Sequence, residues 1–166
     1  MDDDSVQRPA SAYRITEGVS EVNSGGTVRV MPGTYLEEVT ISKSVNLLGN
    51  TSGVMVNNDR IINPSTYAIT VNGTGITATI IGFRLTSGSR GIDLTNGTAV
   101  VHGNTIDNIT TAFYVNNASG VTLTAYANNV SSFTTGIGSS PSASVNARHN
   151  WWGAINPSAV ATDAYD

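Results

Sequence analysis

The chain has no cysteine, which excludes disulfide staples and thiolate metal sites. Charge is also scarce: 8 Lys and Arg and 12 Asp and Glu make up 12% of the 166 residues, about half the usual share. The net charge of −4 gives neither nucleic acid nor an anionic membrane an electrostatic reason to bind. No apolar run approaches the roughly 20 residues that a membrane-spanning helix needs. The first residues, Met1-Asp2-Asp3-Asp4-Ser5, are acidic and lack the apolar segment of a signal peptide. The places that Lys, Glu and Arg would take are filled by Gly, Ser, Thr and Asn. Such a composition suits tight turns and strand surfaces and suits long amphipathic helices badly.

What is present is a repeat. The apolar residues Ile69, Ile92, Phe113 and Ile137 lie 23, 21 and 24 residues apart. A second series, Ile80, Val101, Leu123 and Val145, steps by 21, 22 and 22, and a third, Leu85, Ile106, Val130 and Trp152, by 21, 24 and 22. Three short strands per period, repeated about four times between Ile76 and Gly153, is the signature of a solenoid. Side chains alternate faces along a strand. With these series inward, Thr70, Asp93, Tyr114 and Gly138 form one outward row. Thr79, Val100, Thr122 and Ser144 form a second, and Arg84, Thr105, Asn129 and Trp151 a third. Asn recurs where the strands must bend, at Asn72, Asn96, Asn116 and Asn117 and again at Asn104, Asn128 and Asn150. Asn tolerates left-handed backbone and bonds to nearby peptide groups, so these rows predict aligned corners.

Residues 1–12 are polar and aperiodic and read as a flexible tail. Ile15, Val19 and Val22 mark one face of a short helix over Arg14–Val22. Thr27–Met31, Val39–Ile41 and Val45–Leu48 follow as the strands of a first coil, and Pro32-Gly33 ends the first of them. Between Asn57 and Ser65 the pattern loosens into an excursion, and such insertions tend to lie on the binding face of repeat folds. The solenoid body is 13–153, and 154–166 reads as a C-terminal tail that covers or leaves the open end. An uncovered end offers strand edges for self-association.

The runs Gly25-Gly26-Thr27-Val28, Met31-Pro32-Gly33-Thr34-Tyr35, Glu38-Val39-Thr40-Ile41 and Val45-Asn46-Leu47-Leu48-Gly49, behind the Arg14–Val19 helix, resemble the cap and first rung of pectin-lyase-like proteins. The closing Asn150-Trp151-Trp152-Gly153 is similar to the last rung of bacterial and archaeal surface proteins of that superfamily. The resemblance spans roughly residues 14–153. It implies an all-β, single-stranded right-handed parallel β-helix of five to six coils with a short N-terminal capping helix. It implies no activity, because this scaffold carries lyases, esterases, hydrolases, epimerases, adhesins and inert modules alike. The paired aspartates of the esterases, the hydrolase set, the clustered acids of calcium-dependent lyases and the Asp-Pro-His of epimerases all lack counterparts. Asn104-Thr105-Ile106-Asp107 and His102-Gly103 are fragments only.

Arg84, Arg90, Asp93, His102 and Asp107 fall within two adjacent rungs and are the candidates for chemistry. His102 or Asp107 would serve as acid or base and an arginine would neutralise a uronate. The competing reading makes them solvated charges on the outside of the helix. Tyr114 and Trp151, with Arg84 and Arg90, are the candidates for binding a sugar. Against that, Tyr114 packs on its rung neighbours and Trp151 covers the C-terminal end. No cofactor or metal is expected. The expectation is a non-catalytic extracellular or cell-surface module that binds carbohydrate or adheres, trimmed of a leader. The alternatives are a lyase-like or epimerase-like enzyme with a non-standard site, and an end-to-end structural module.

Overall fold

In the computed structural model, residues 4–7, 14–50, 60–116, 120–140 and 142–153 are described. They form a parallel β-solenoid of about five turns with one short helix near the N-terminus. In chain order the elements are β1 (Asp4–Gln7), α1 (Arg14–Glu21), β2 (Thr27–Val30), β3 (Gly33–Tyr35), β4 (Val39–Ile41), β5 (Val45–Leu48) and β6 (Arg60–Ile62). The longer β7 (Tyr67–Ile81), β8 (Arg84–His102), β9 (Thr105–Val115) and β11 (Asn129–Ser139) run around corners, and β10 (Thr122–Tyr126), β12 (Ser144–Asn146) and β13 (Trp151–Trp152) complete the last coils.

Three parallel stacks result. The first pairs β4 with the start of β7 and continues through Arg90–Leu94, Thr111–Val115 and Thr135–Ser139. The second runs from β1 and β2 through β5 and the end of β7 to Thr98–His102, β10 and β12. The third stacks β3, β6, Arg84–Thr86, Thr105–Asp107, Asn129–Ser131 and β13. Ile69, Ile92 and Phe113, then Ile80, Val101 and Leu123, then Leu85, Ile106 and Val130, are each at most 1% exposed. Each such apolar side chain contributes on the order of 1.5–3 kcal/mol of burial. Trp152 closes the core at the last coil, edge-on to Phe113 at 6.1 Å and to Phe133 at 6.0 Å between ring centroids.

The first and third apolar series pair in the register their spacing predicts. The second slips once: Leu123 lies beside Ala99, and it is Ala125 that faces Val101. Thr122 accordingly sits between Thr98 and Ser144, while Val100 is flanked by Thr79 and Thr124. A two-residue slip leaves every side chain on its own face, so apolar spacing does not register it. Two further differences come from the backbone. Asp4–Gln7, polar and tail-like in sequence, forms a parallel strand on β2, because a ladder needs peptide groups and not apolar side chains. Within the expected Asn57–Ser65 excursion, Arg60–Ile62 is the third-sheet rung between β3 and β8, and Asn57–Asp59 lie outside the described residues. The proposed C-terminal tail, 154–166, also lies outside them.

Two polar devices hold this stack. At the N-terminal end the buried Glu37 carboxylate accepts hydrogen bonds from the first-turn amides of Ile15 (2.9 Å) and Thr16 (3.0 Å), where a helix favours negative charge. Lys43 Nζ donates to the carbonyls of Ser20 and Val22 at the other end. The neighbouring Glu38 accepts from Ser65 Oγ and the Thr66 amide of the next coil. Burial raises the Glu38 pKa, but these hydrogen bonds outweigh it and hold the group below the usual carboxylate range.

Between the second and third sheets, Asn104, Asn128 and Asn150 form a buried ladder. Asn128 Oδ1 accepts from the Asn104 amide and from Asn104 Nδ2, both at 3.0 Å, and Asn150 Oδ1 does the same for Asn128. Their Nδ2 groups donate to Ile80, Val101 and Ala125 carbonyls. The residue before each step is left-handed: Gly103, Ala127 and His149 have φ of 66°, 52° and 59°. The corner that the asparagine spacing predicts is thus a chain of satisfied amides.

Candidate functional site

The outward side chains distribute over three faces. On the first, Tyr67, Arg90 and Thr111 are in register, as are Thr70, Asp93, Tyr114 and Gly138. The Arg90 guanidinium lies 3.5 Å from the centre of the Tyr114 ring and 5.0 Å from that of Tyr67, and Nη1 donates to Asp93 Oδ1 at 2.7 Å. Asp93 retains 8% of its side-chain exposure beneath this lid. Cation, carboxylate and rings satisfy one another. Tyr114 packs on its rung neighbours, and neither Arg90 nor Asp93 is unpaired.

On the second face His102 follows Ile81 and precedes Tyr126. The His102 and Tyr126 rings stack with 4.7 Å between centroids and an interplanar angle of 10°. Burial against the ring disfavours the imidazolium and lowers the His102 pKa.

The third face holds a groove. Its floor is the register row Thr86, Asp107 and Ser131. The chain turns one residue later in each coil, and Ser87, Asn108 and Ser132 all sit in the left-handed region with φ of 64°, 53° and 52°. That conformation turns their short polar side chains out beside the row, and Asn108 Nδ2 donates to Ser87 Oγ at 3.3 Å. Thr34, Ile61, Asn63 and Arg84 complete the walls of an open, polar-lined space of about 620 Å³. Arg84 reaches diagonally to the next coil: Nε donates to Asp107 Oδ2 at 3.0 Å and Nη2 lies 3.0 Å from the same oxygen.

Trp151 stands at the C-terminal end of the same face and is 61% exposed. Its ring lies across Gly153, where an added Cβ would overlap Cζ3 and Cη2 of the indole and sit 3.1 Å from the Ser131 Cβ. Gly153 is aligned with the floor row, since its amide donates to the Val130 carbonyl at 2.7 Å. The glycine of the Trp-Trp-Gly ending therefore makes room for a flat, exposed ring beside the last floor residue.

The five charged candidates do not converge. Arg90 and Asp93 pair on the first face, His102 lies on the second, and Arg84 and Asp107 pair on the third. Of the binding candidates, Arg84 and Trp151 share the groove face, while Tyr114 and Arg90 are stacked on each other on the first. Sequence reasoning missed Ser87, Asn108 and Ser132, although their 21- and 24-residue spacing is that of Leu85, Ile106 and Val130 displaced by two. It also missed Tyr67 and Tyr126, which become partners of Arg90 and His102 only once the register is fixed. Among the described residues no three of His, Asp and Glu cluster as metal ligands, and no helix is long and apolar enough to cross a membrane. No family model, curated protein or solved structure matches the chain.

Proposed function

We propose that this chain is a non-catalytic module of the pectin-lyase-like β-helix type, displayed outside the cell or on its surface, that binds carbohydrate through the third face. The observation that carries this reading is the exposed Trp151 ring lying over Gly153, one coil beyond Ser131 and the polar groove on the same face. Sugars present apolar C–H faces and hydroxyl edges, and a flat ring beside Ser, Asn and Thr groups is complementary to both. The acids of the regular coils favour binding over chemistry, since Asp93 is held by Arg90 and Asp107 by Arg84. General acid–base work needs a group free to take and return a proton within reach of substrate, and His102 faces elsewhere.

The test is retention on a panel of neutral and uronate polysaccharides by affinity electrophoresis, for the wild type and Trp151→Ala. At least one polymer is expected to retard the wild type. Trp151→Ala should weaken that binding about tenfold, the equivalent of one good ring contact. No retardation by any polymer overturns the reading. A second reading, a polysaccharide-active enzyme, draws on the Arg84–Asp107 pair within the groove. New unsaturated product from a uronate polymer, lost in Arg84→Ala, would establish it and displace the first.

A further inference from the structure

We infer that the groove takes an uncharged, extended glycan lying parallel to the solenoid axis, about one sugar to a coil, with Trp151 under its terminal unit. This rests on the carbohydrate reading above and adds ligand class, orientation and length.

The orientation follows from the repeat. Each coil contributes the same pair of positions to the groove: Thr86 and Ser87, then Asp107 and Asn108, then Ser131 and Ser132. Parallel strands repeat at about 4.8 Å, close to the advance of one sugar in an extended chain. A ligand along the axis therefore meets an equivalent polar pair at every unit, whereas one laid across the axis leaves the groove after a single coil. The next coil supplies the indole in place of a polar pair. Gly153 lets the ring lie over its position next to Ser131, so the series ends on a ring that can serve as a stacking platform.

The ligand class follows from the charges. The charged side chains lining the groove are Arg84 and Asp107, and they neutralise each other across adjacent coils. Arg84 keeps 45% of its side-chain exposure and Asp107 17%. The pair thus offers outward N–H donors and a carboxylate acceptor with no net charge, which suits vicinal hydroxyls. A uronate carboxylate would have to compete with Asp107 for the guanidinium while lying next to it. The chain's net charge of −4 adds a long-range term of the same sign.

The experiment is calorimetric titration with neutral β-linked gluco- and manno-oligosaccharides of two to six units and with oligouronates of equal length. It uses the wild type, Trp151→Ala, Asn108→Gly and Asp107→Asn. Glycine at 108 keeps the left-handed turn and removes only the exposed side chain, so folding is preserved. The expected result is neutral-sugar binding that tightens up to about four units and then levels off. It should change less than twofold between 50 and 500 mM NaCl and weaken at least fivefold in both Asn108→Gly and Trp151→Ala. Asp107→Asn should shift preference toward the oligouronates by freeing Arg84. Preferential oligouronate binding by the wild type, or neutral binding untouched by Asn108→Gly, overturns this inference and leaves the carbohydrate reading standing. An absence of binding to either class overturns both.

Discussion

Two corners of this solenoid use the same polar vocabulary to opposite ends. Between the second and third sheets, Asn104, Asn128 and Asn150 follow left-handed residues and point inward, where each amide is satisfied by the next and by backbone carbonyls. After the third sheet the left-handed residues are themselves Ser87, Asn108 and Ser132, and their side chains line an open groove. One row spends its hydrogen-bonding capacity on the fold. The other keeps part of it for solvent or a ligand. A repeated polar residue at a bend is therefore not by itself a sign of structure or of function, and its partners decide.

The sharpest way to break this contrast is Asn128→Ala. It leaves the Asn104 amide and the Val101 carbonyl without their Asn128 partner in a buried site, while Asn104 Nδ2 keeps the Ile80 and His102 carbonyls. The expected cost is about 3–4 kcal/mol by urea denaturation, since each stranded buried group costs about 1–3 kcal/mol and solvent entry recovers part. Asn108→Gly should cost less than about 0.5 kcal/mol in the same assay, as an exposed side chain lost from a backbone position that glycine accepts. Equal effects at 128 and 108 would erase the distinction.

A smaller effect is expected on the first face. Arg90→Ala uncovers Asp93 and removes its partner, at about 2–3 kcal/mol. Complete removal from a fully buried pair costs about 3–5 kcal/mol, and Arg90 is 28% exposed. Asp93→Asn on the Arg90→Ala background should recover most of the loss, measured as a coupling energy in a double-mutant cycle. No coupling would mean that the Tyr114–Arg90–Tyr67 stack holds without the carboxylate.

The smallest effect is a pH dependence on the second face. The folded-state pKa of His102 lies below its unfolded value near 6.5, so the unfolded chain binds the proton more readily. Stability is then intact above the unfolded pKa and falls as the pH drops below it. His102→Phe keeps a ring on Tyr126 and removes the proton site. Its Tm should fall less than the wild type's between pH 7.5 and pH 5. Parallel Tm curves would show that His102 is not the group responsible.

Most of the scaffold was legible because the solenoid writes its apolar positions at a near-constant interval. Ile69, Ile92, Phe113 and Ile137 were placed side by side by counting alone. Counting did not see the slip at Leu123, because a displacement of two preserves the face. It did not see the strand Arg60–Ile62 either, a short rung among loop-forming neighbours. The Arg84–Asp107 pair was hidden for a different reason. Strict register sets Arg84 beside Thr105, and only the length of the arginine side chain carries it two residues further. The groove escaped because Ser and Asn at a bend look the same whether their side chains face in or out.

The ladder has a further consequence for how such a chain grows. Asn104 and Asn128 each accept from the coil before and donate to the one after, so the two faces of a coil are complementary to each other at this corner. A duplicated segment of about one period, joined asparagine to asparagine, would find its hydrogen bonds already provided above and below. In a stack where each coil touches only its neighbours, such an insertion would lengthen the molecule and its groove together without redesign of any existing interface.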